Sequence, residues 1–263
     1  GGYLVPTEQF KQIKELRRNL VSLKGYCNIL PVTSLKGSMP IETGSTGELI
    51  AFEELNEINK SDVDFAQVTY NVADYGDIIP ISNTLLADEQ ANLTDYIGRR
   101  FIKKAINTEN KKIIEILKTL TPVQATDYDA ITTALNKELD PSISLNAKVF
   151  VNQTYFDVLD KVKDKQGRPL LGNSLQDETK KLFKGREIVI LSDVQLEMNG
   201  TKAPVFVGDL EEFITFFDRE GLELAVSTEA GFTKNATYIR AIERFDAKKV
   251  DKEAMKYLEI ETA

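Results

Sequence analysis

Residues 78–120 read IIPISNTLLADEQANLTDYIGRRFIKKAINTENKKIIEILKTL, and the reading of the whole chain works outward from them. Ile78, Ile79 and Ile81 end a strand. Ser82 and Asn83 are helix-start residues, because a short side-chain oxygen accepts from the free N–H groups of a first turn. Leu85 and Leu86 form the apolar face of one or two helical turns. Asn92 offers a second start, with Asp95 three residues on in a weak capping box. From there Leu93, Ile97, Phe101, Ile102, Ala105, Ile106, Ile113, Ile114, Leu117 and Leu120 place one apolar stripe along a helix. That helix is about 40 Å long at 1.5 Å per residue. Its other face carries Arg99, Arg100, Lys103, Lys104, Glu109, Lys111 and Lys112. Thr121-Pro122 stops it, since a residue before proline is pushed out of the helical region. A helix of this length exceeds the usual three or four turns and predicts a spine with an extended sheet laid against it.

The 263 residues suffice for one large domain or two smaller ones, and a hydrophobic fraction of 42% supports a packed core. No apolar run approaches the length that crosses a bilayer, and no basic-then-apolar N-terminal segment marks a signal peptide. No membrane partner is expected. Cys27 is the only cysteine, which excludes an intrachain disulfide and fits a reducing cytosol. The net charge of −8 gives no general attraction to nucleic acid, whose affinity comes from Lys and Arg at phosphates. Histidine is absent, and with it the commonest general base near pH 7 and the commonest transition-metal ligand.

Upstream of the spine, GGYLVP reads as a loose arm, and Thr7 caps a helix to about Leu23 that Gly25 ends. Tyr26 to Ile41 reads as short extended pieces broken by Pro31, Gly37 and Pro40. Glu42 to Phe65 is rich in carboxylates, poor in apolar residues and too long for a buried connection. Its flanks, Leu49–Phe52 and Phe65–Val72, predict the arms of a projecting hairpin that needs a neighbouring molecule, since an isolated ribbon is marginal. Val68 to Ile81 is a strand leading into the spine. Downstream, the spacing predicts a helix over Asp127–Leu139, a strand over Ala147–Asn152, a helix over Gln153–Val162 and a turn-rich loop over Asp164–Asn173. Strands follow at Glu187–Leu191 and Pro204–Val207. This alternation argues for a compact α/β unit at 122–210. Phe213–Phe217, Leu222–Ser227 and Tyr238–Phe245 are strand-like, with turns at Gly221 and Gly231. Asp251 starts a short helix, and Tyr257–Ile260 is a last strand. These late strands are expected to return to the sheet beside the spine.

Several residue groups invite a chemical reading. Glu53, Glu54, Glu57, Asp62 and Asp64 lack the spacing of a calcium loop, so a solvated or subunit-facing hairpin is the expectation. Gly44-Ser45-Thr46-Gly47 lacks the Gly-Lys-Ser/Thr of a phosphate loop and reads as a turn. Asp88 with Glu89, and Asp193 with Glu197, are candidates for paired catalytic carboxylates, but nothing in the sequence places either pair in a cleft, and helix-surface or loop roles are the expectation. Cys27 reads as a small core residue. The basic helix face reads first as a solvated surface with pairs such as Glu109. Ion pairing of Arg99, Arg100, Lys103 and Lys104 with the hairpin carboxylates Glu53, Glu54 and Glu57 of a neighbour ranks second. Contact with DNA ranks third, weak and non-specific. No catalytic residue, metal site or cofactor is assigned.

The order of parts resembles a tailed-bacteriophage major capsid protein of the Hong Kong 97 fold, over nearly the whole chain. The stretches that carry the likeness are KSDVDFAQVTYNVADYGDIIPISNTLLADE, KDKQGRPLLG followed by LFKGREIVIL, and DREGLELAVST with NATYIRAIERFD. The resemblance implies an α+β fold with an N-terminal arm and first helix over 1–42 and an extended loop over 43–70. It implies a peripheral domain over 71–121 and 211–263, and an axial domain over 122–210. It implies a structural protein that self-assembles through pentamers and hexamers into an icosahedral shell around phage or prophage double-stranded DNA. Portal, scaffolding and maturation protease would be its partners, the virion its place and the bacterial host cytoplasm its site of assembly. A start at GGYLVP resembles the mature product of a protease cut that removes a scaffolding segment. Some members of the family cross-link a hairpin lysine to an asparagine with help from a glutamate. Here Asn235 falls at the asparagine position, but Leu55 falls at the lysine and Ile242 at the glutamate, with Glu243 next to it and Lys60 as the nearest substitute. Non-covalent contacts are therefore expected to hold the shell. An encapsulin-like compartment holding a cargo enzyme is the alternative on the same fold. A soluble acidic enzyme using a carboxylate pair is the alternative of a different class.

Overall fold

The structure, a computed structural model, describes residues 21–43, 65–174 and 179–262. The helix expected over Thr7–Leu23 and the stretch Leu49–Phe52 lie outside these, apart from 21–23. A 3-10 turn at Lys24–Tyr26 leads into β1 (Asn28–Pro31). Then β2 (Lys36–Glu42) pairs antiparallel with β3 (Phe65–Asn71) in a two-stranded ribbon. Among the described residues the partner of the Phe65 arm is Lys36–Glu42. Val72 is buried and breaks the chain, so the single strand expected over Val68–Ile81 is divided between β3 and β4 (Ala73–Ser82).

The spine is α1 (Asn83–Leu117), one unbroken helix of 35 residues and about 50 Å long. The separate turn at Leu85–Leu86 and the second start at Asn92 do not occur. No Gly or Pro lies between Asn83 and Asn92, and Leu86 packs in the same cluster as Leu93 and Ile97, so tertiary contact carries the helix back to Asn83. Ser82 holds the cap position in extended conformation without a side-chain cap bond.

The chain continues through β5 (Val123–Ala125), α2 (Asp129–Thr133) with a π turn to Glu138, α3 (Pro141–Asn146) and β6 (Lys148–Asn152). Next come α4 (Gln153–Lys161), β7 (Gly172–Asn173), β8 (Lys181–Phe183), β9 (Arg186–Leu191) and β10 (Lys202–Gly208). Asp140 and Asn152 cap α3 and α4 by accepting from Ser142 N and Tyr155 N at 2.8 and 2.9 Å. A turn of helix, α5 (Leu210–Phe213), precedes β11 (Ile214–Ser227), β12 (Ala236–Lys249) and β13 (Met255–Glu261).

Two sheets result. One runs β1-β11-β12-β4, the other β5-β13-β10-β6-β9-β8-β7. Three expectations change here. The segments Phe213–Phe217 and Leu222–Ser227 form one strand, β11, whose register against β12 shifts between Asp218 and Glu223, so Gly221 lies in an irregular strand and not at a turn. Asp251 starts a turn, closed by Glu253 N on Asp251 Oδ1 at 2.8 Å, because only 250–254 join β12 to β13. And β13 leaves the spine sheet to pair antiparallel with β10. Gly208 permits that crossing: at φ +153° a Cβ there would stand 2.1 Å from the Ala254 carbonyl oxygen.

Three apolar clusters follow. The first half of α1 lays Leu93, Ile97 and Phe101 on Ile81, Ile239 and Ala241. Its last turns put Ile113, Ile114 and Leu117 into a second cluster with Phe150, Phe206, Phe216 and Phe245, which joins the two sheets. The third lies under α2–α4 on the seven-stranded sheet. Phe101 is 1% exposed and fixes the first half of the helix. Phe101→Ala is expected to lower the stability of the unassembled chain by about 3–5 kcal/mol, read as a lower denaturation midpoint at unchanged slope.

Candidate assembly surface

The ribbon is the first unusual surface. Alternation puts Met39, Ile41, Ala66, Val68 and Tyr70 on one face, and all are only half-buried, while Lys36, Ser38, Gln67 and Thr69 occupy the other. Its base is fixed. Tyr70 stacks on Phe217 at 4.4 Å, Asn71 N donates to Asp246 Oδ2 at 2.8 Å, and Val72 N donates to the Leu35 carbonyl at 2.8 Å. Beyond that base, the ribbon forms a sheet of its own, and Phe65 at its far end is 67% exposed. Glu53, Glu54, Glu57 and Lys60 lie outside the described residues.

The second surface is the outer edge of β4, which pairs with no further strand among the described residues. Between this edge and α1 runs a groove of about 450 Å³ floored by Ile78, Ile79, Pro80 and Leu85 and rimmed by Arg100 and Lys104. Lys104 pairs with Asp77, and that bond holds the Asp77 carboxyl below the usual range. Arg99 and Arg100 are exposed and Lys103 is half-buried on the same side of the helix. The structure thus brings the four basic residues together around the exposed face of the spine.

Asn235 has a local structural role. It adopts the left-handed conformation (φ 47°, ψ 49°) that closes the 3-10 turn Phe232–Lys234. Its carbonyl accepts from Asn83 N and its Oδ1 accepts from Asn83 Nδ2, both at 3.0 Å, while Thr237 Oγ1 donates to Asn83 Oδ1 at 2.7 Å. These bonds fasten the start of β12 to the start of α1. Ile242 is half-buried and Glu243 is buried. Asn235 immediately precedes β12 and Glu243 lies eight residues further along it, roughly 25 Å away at about 3.3 Å per residue, so they form no common site within one subunit.

The carboxylate pairs do not assemble chemistry. Asp193 accepts from Thr154 N and Oγ1, both at 3.0 Å, and so satisfies the first turn of α4, while Glu197 is exposed. The side chains of Asp88 and Glu89 lie outside the described part. Cys27 is buried, its Sγ donates to the Leu23 carbonyl at 3.5 Å, and burial pushes its thiol up to about 12, which makes it inert near neutral pH. Among the described residues, no group of three or more Cys, Asp or Glu is placed to hold a metal ion.

Glu109 corrects the reading of the helix as carrying it on a solvated face. It is 6% exposed and meets Lys24 at 2.9 Å. Lys24 also meets Asp218 at 2.8 Å and Glu243 at 3.8 Å, and lies 4.6 Å above the Phe216 ring. Next to it, Asn110 clamps the backbone before the 3-10 turn: Leu23 N donates to its Oδ1 at 2.8 Å, and its Nδ2 donates to the Val21 carbonyl at 2.6 Å. This polar cluster between four elements is the site that local sequence reading misses. Its members are 24, 109, 218 and 243, too far apart for any motif. Two signals did exist: the apolar stripe of α1 skips from Ile106 to Ile113, and Glu243 occupies an inward position in the alternation Ile239, Ala241, Phe245, Ala247.

With the geometry in place, comparisons place the chain. The profile described as the phage capsid family matches residues 1–260. No curated protein sequence gives a significant match. Among solved structures, the capsid of a native GTA particle superposes with a TM-score of 0.81 at 18% identity, covering 100% of this chain and 97% of that one. A structure of Microbacterium phage Oxtober96 gives 0.70 at 12% identity over 98% and 96%. The mature capsid of bacteriophage PhiM1 gives 0.66 at 10% identity over 98% and 93%. These likenesses establish the fold, the Hong Kong 97-like arrangement that the order of elements resembled. The chain belongs to the phage capsid family and is a structural protein of a capsid shell.

Proposed function

We propose that this subunit builds an icosahedral shell around double-stranded DNA through pentamers and hexamers of itself, with the hairpin of each copy lying across the next. The observation that supports this reading is the ribbon β2–β3. Among the described residues no further strand joins the ribbon, its apolar face is only half-buried, and a two-stranded ribbon is marginal alone. A second copy supplies the missing layer. The spine sheet with α1 then acts as a peripheral domain and the seven-stranded sheet as an axial domain near the symmetry axis. On this reading β13 belongs with the axial part, which shortens the peripheral portion assigned to 211–263.

The acidic hairpin and the basic spine face are complementary. Glu53, Glu54 and Glu57 of one copy reach Arg99, Arg100, Lys103 and Lys104 of the next. Exposed pairs contribute about 0.2–1 kcal/mol each, but the same contact recurs around every ring, and closure makes weak repeated interfaces strong. A portal, a scaffold and a maturation protease act with the subunit in the host cytoplasm, and DNA contact stays weak because the chain carries −8.

Two measurements test this. Negative-stain microscopy and light scattering of the purified chain are expected to show rings or closed particles; a stable monomer under all assembly conditions would overturn the shell reading, and particles filled with protein cargo would shift it to a compartment. Arg100→Glu is expected to raise the concentration needed for assembly about five-fold, corresponding to about 1 kcal/mol per contact, and Glu53→Lys with Glu54→Lys in the same chain to restore it. Unchanged assembly in Arg100→Glu would remove the ion-pairing part. Detergent-boiled particles are expected to run as a single monomer band; a ladder would show that covalent bonds hold the shell.

A further inference from the structure

The turn between β11 and β12 is built firmly. Ala230 N donates to Ser227 Oγ and Phe232 N to the Glu229 carbonyl, both at 3.2 Å. Lys234 N and Ala236 N both donate to the Gly231 carbonyl, at 3.0 and 3.1 Å. This closure requires a glycine, since a Cβ on Gly231 would stand 1.8 Å from the Ala236 carbonyl oxygen. Asn235 then ties the turn to Asn83 at the start of α1. The tip is therefore held by its own strands and by the spine helix.

On this frame stands Phe232. It is 87% exposed, the most exposed of the large apolar residues described. Val226, near the end of β11, is exposed at the same end of the sheet. An exposed apolar side chain on a loose loop needs no explanation. A ring on a fixed frame is different: its backbone is already ordered, so docking costs less freedom, and aromatic side chains are the commonest anchors at the centre of interfaces. Glu229 and Lys234 flank it in sequence, both exposed and neither in an ion pair among the described residues. An acid, an apolar ring and a base in that order form a self-complementary surface. A second copy of the same tip, turned about an axis, offers a base to the acid and a ring to the ring.

The place of the tip says which copy this is. The argument here rests on the shell reading above, with the seven-stranded sheet near the axis of each ring. From Ala236 at the tip, β12 runs back to Asp246, where the ribbon base is tied, about 33 Å away at about 3.3 Å per residue. The tip thus stands at the end of the spine sheet remote from the ribbon base and from the axial sheet, on the rim of the ring. Rings laid side by side on a closed surface meet at their rims. We propose that Phe232 is the apolar anchor of a contact between identical tips of adjacent rings, in which Glu229 of one copy faces Lys234 of the next, so that this contact joins rings into a shell and takes no part in forming a ring.

The test uses the full chain, with rings and closed particles separated by sedimentation velocity. Phe232→Ser changes a solvent-facing position and is expected to leave the denaturation midpoint of the unassembled chain and the yield of rings unchanged. It is expected to raise the concentration needed for closed particles about ten-fold or more. Glu229→Lys alone and Lys234→Glu alone are each expected to raise it up to about five-fold, and the two in one chain to restore it to within about two-fold. Normal closed particles in Phe232→Ser, or loss of rings together with particles, would overturn the anchor. A double variant as impaired as its parents would overturn the tip-to-tip pairing. A native chain that forms neither rings nor particles would instead overturn the shell reading, and this inference with it. Phe232→Cys gives an independent readout, because Cys27 is buried and inert. Co-assembled with an equal amount of native chain and treated with a short bismaleimide, it is expected to give cross-linked dimers in closed particles and none in isolated rings. Dimers in isolated rings, or monomer alone in closed particles, would overturn the proposal.

Discussion

The spine sheet has four strands and a single covering helix, and the burial of that helix is the constraint on which the rest depends. Propensity alone does not hold so long a helix. Leu93, Ile97, Phe101, Ile113, Ile114 and Leu117 are all buried along it, and a fully buried side chain of this kind contributes about 1.5–3 kcal/mol. The first three meet β4 and β12; the last three meet the cluster shared with the seven-stranded sheet. One rigid rod thus fixes how the two sheets lie relative to each other. Stacked rings extend the same junction: Tyr75 on Phe245 and Phe245 on Phe216, each at 4.6 Å.

Between the two apolar halves of α1 the helix turns polar residues inward. Glu109 and Asn110 are 6% and 1% exposed. An ion cluster at such a place adds little net stability, because removing charges from water offsets most of their attraction, although breaking it leaves a buried charge costing about 3–5 kcal/mol. Its effect is positional. Apolar contacts would tolerate the arm segment at several offsets along the helix. The two Asn110 bonds and the Lys24 contacts accept one.

Local pattern made much of this legible. The stripe after Leu93, the alternation in Tyr238–Phe245 and the apolar runs Ala147–Asn152 and Glu187–Leu191 all report burial through spacing alone, and each became the element expected. What failed was non-local. Tyr257–Ile260 reads as a strand, but nothing in it names β10 as its partner; that choice depends on Gly208 and the short link after β12. The pairing of Met39 and Ile41 with Val68 and Ala66 is not legible either, because Pro40 and Gly37 mask the alternation of β2. Gly221 read as a turn, although a glycine inside a strand also marks a register shift, as it does in β11. The polar cluster was hidden because its members come from four separate elements, and the gap in the stripe and the misplaced Glu243 gain meaning only together.

A free monomer with these surfaces would be poorly protected. The ten-residue edge of β4 carries Ile78 and Ile79, and an unpaired edge of that length invites pairing with other chains. Pro80 and the flanking Asp74 and Asp77 restrain such pairing, since proline offers no N–H and carboxylates resist burial. Among the described residues the ribbon adds a second, half-buried apolar face. Two unlike sticky surfaces on one subunit make head-to-tail contacts, which either close into rings or run on as filaments. Closure needs a fixed angle between them. The ribbon base is tied to the spine sheet through Tyr70 on Phe217 and Asn71 on Asp246, and the groove is formed by that sheet and α1. Both surfaces are therefore set by the same rigid unit, and this shared frame lets unlike contacts repeat at a constant angle.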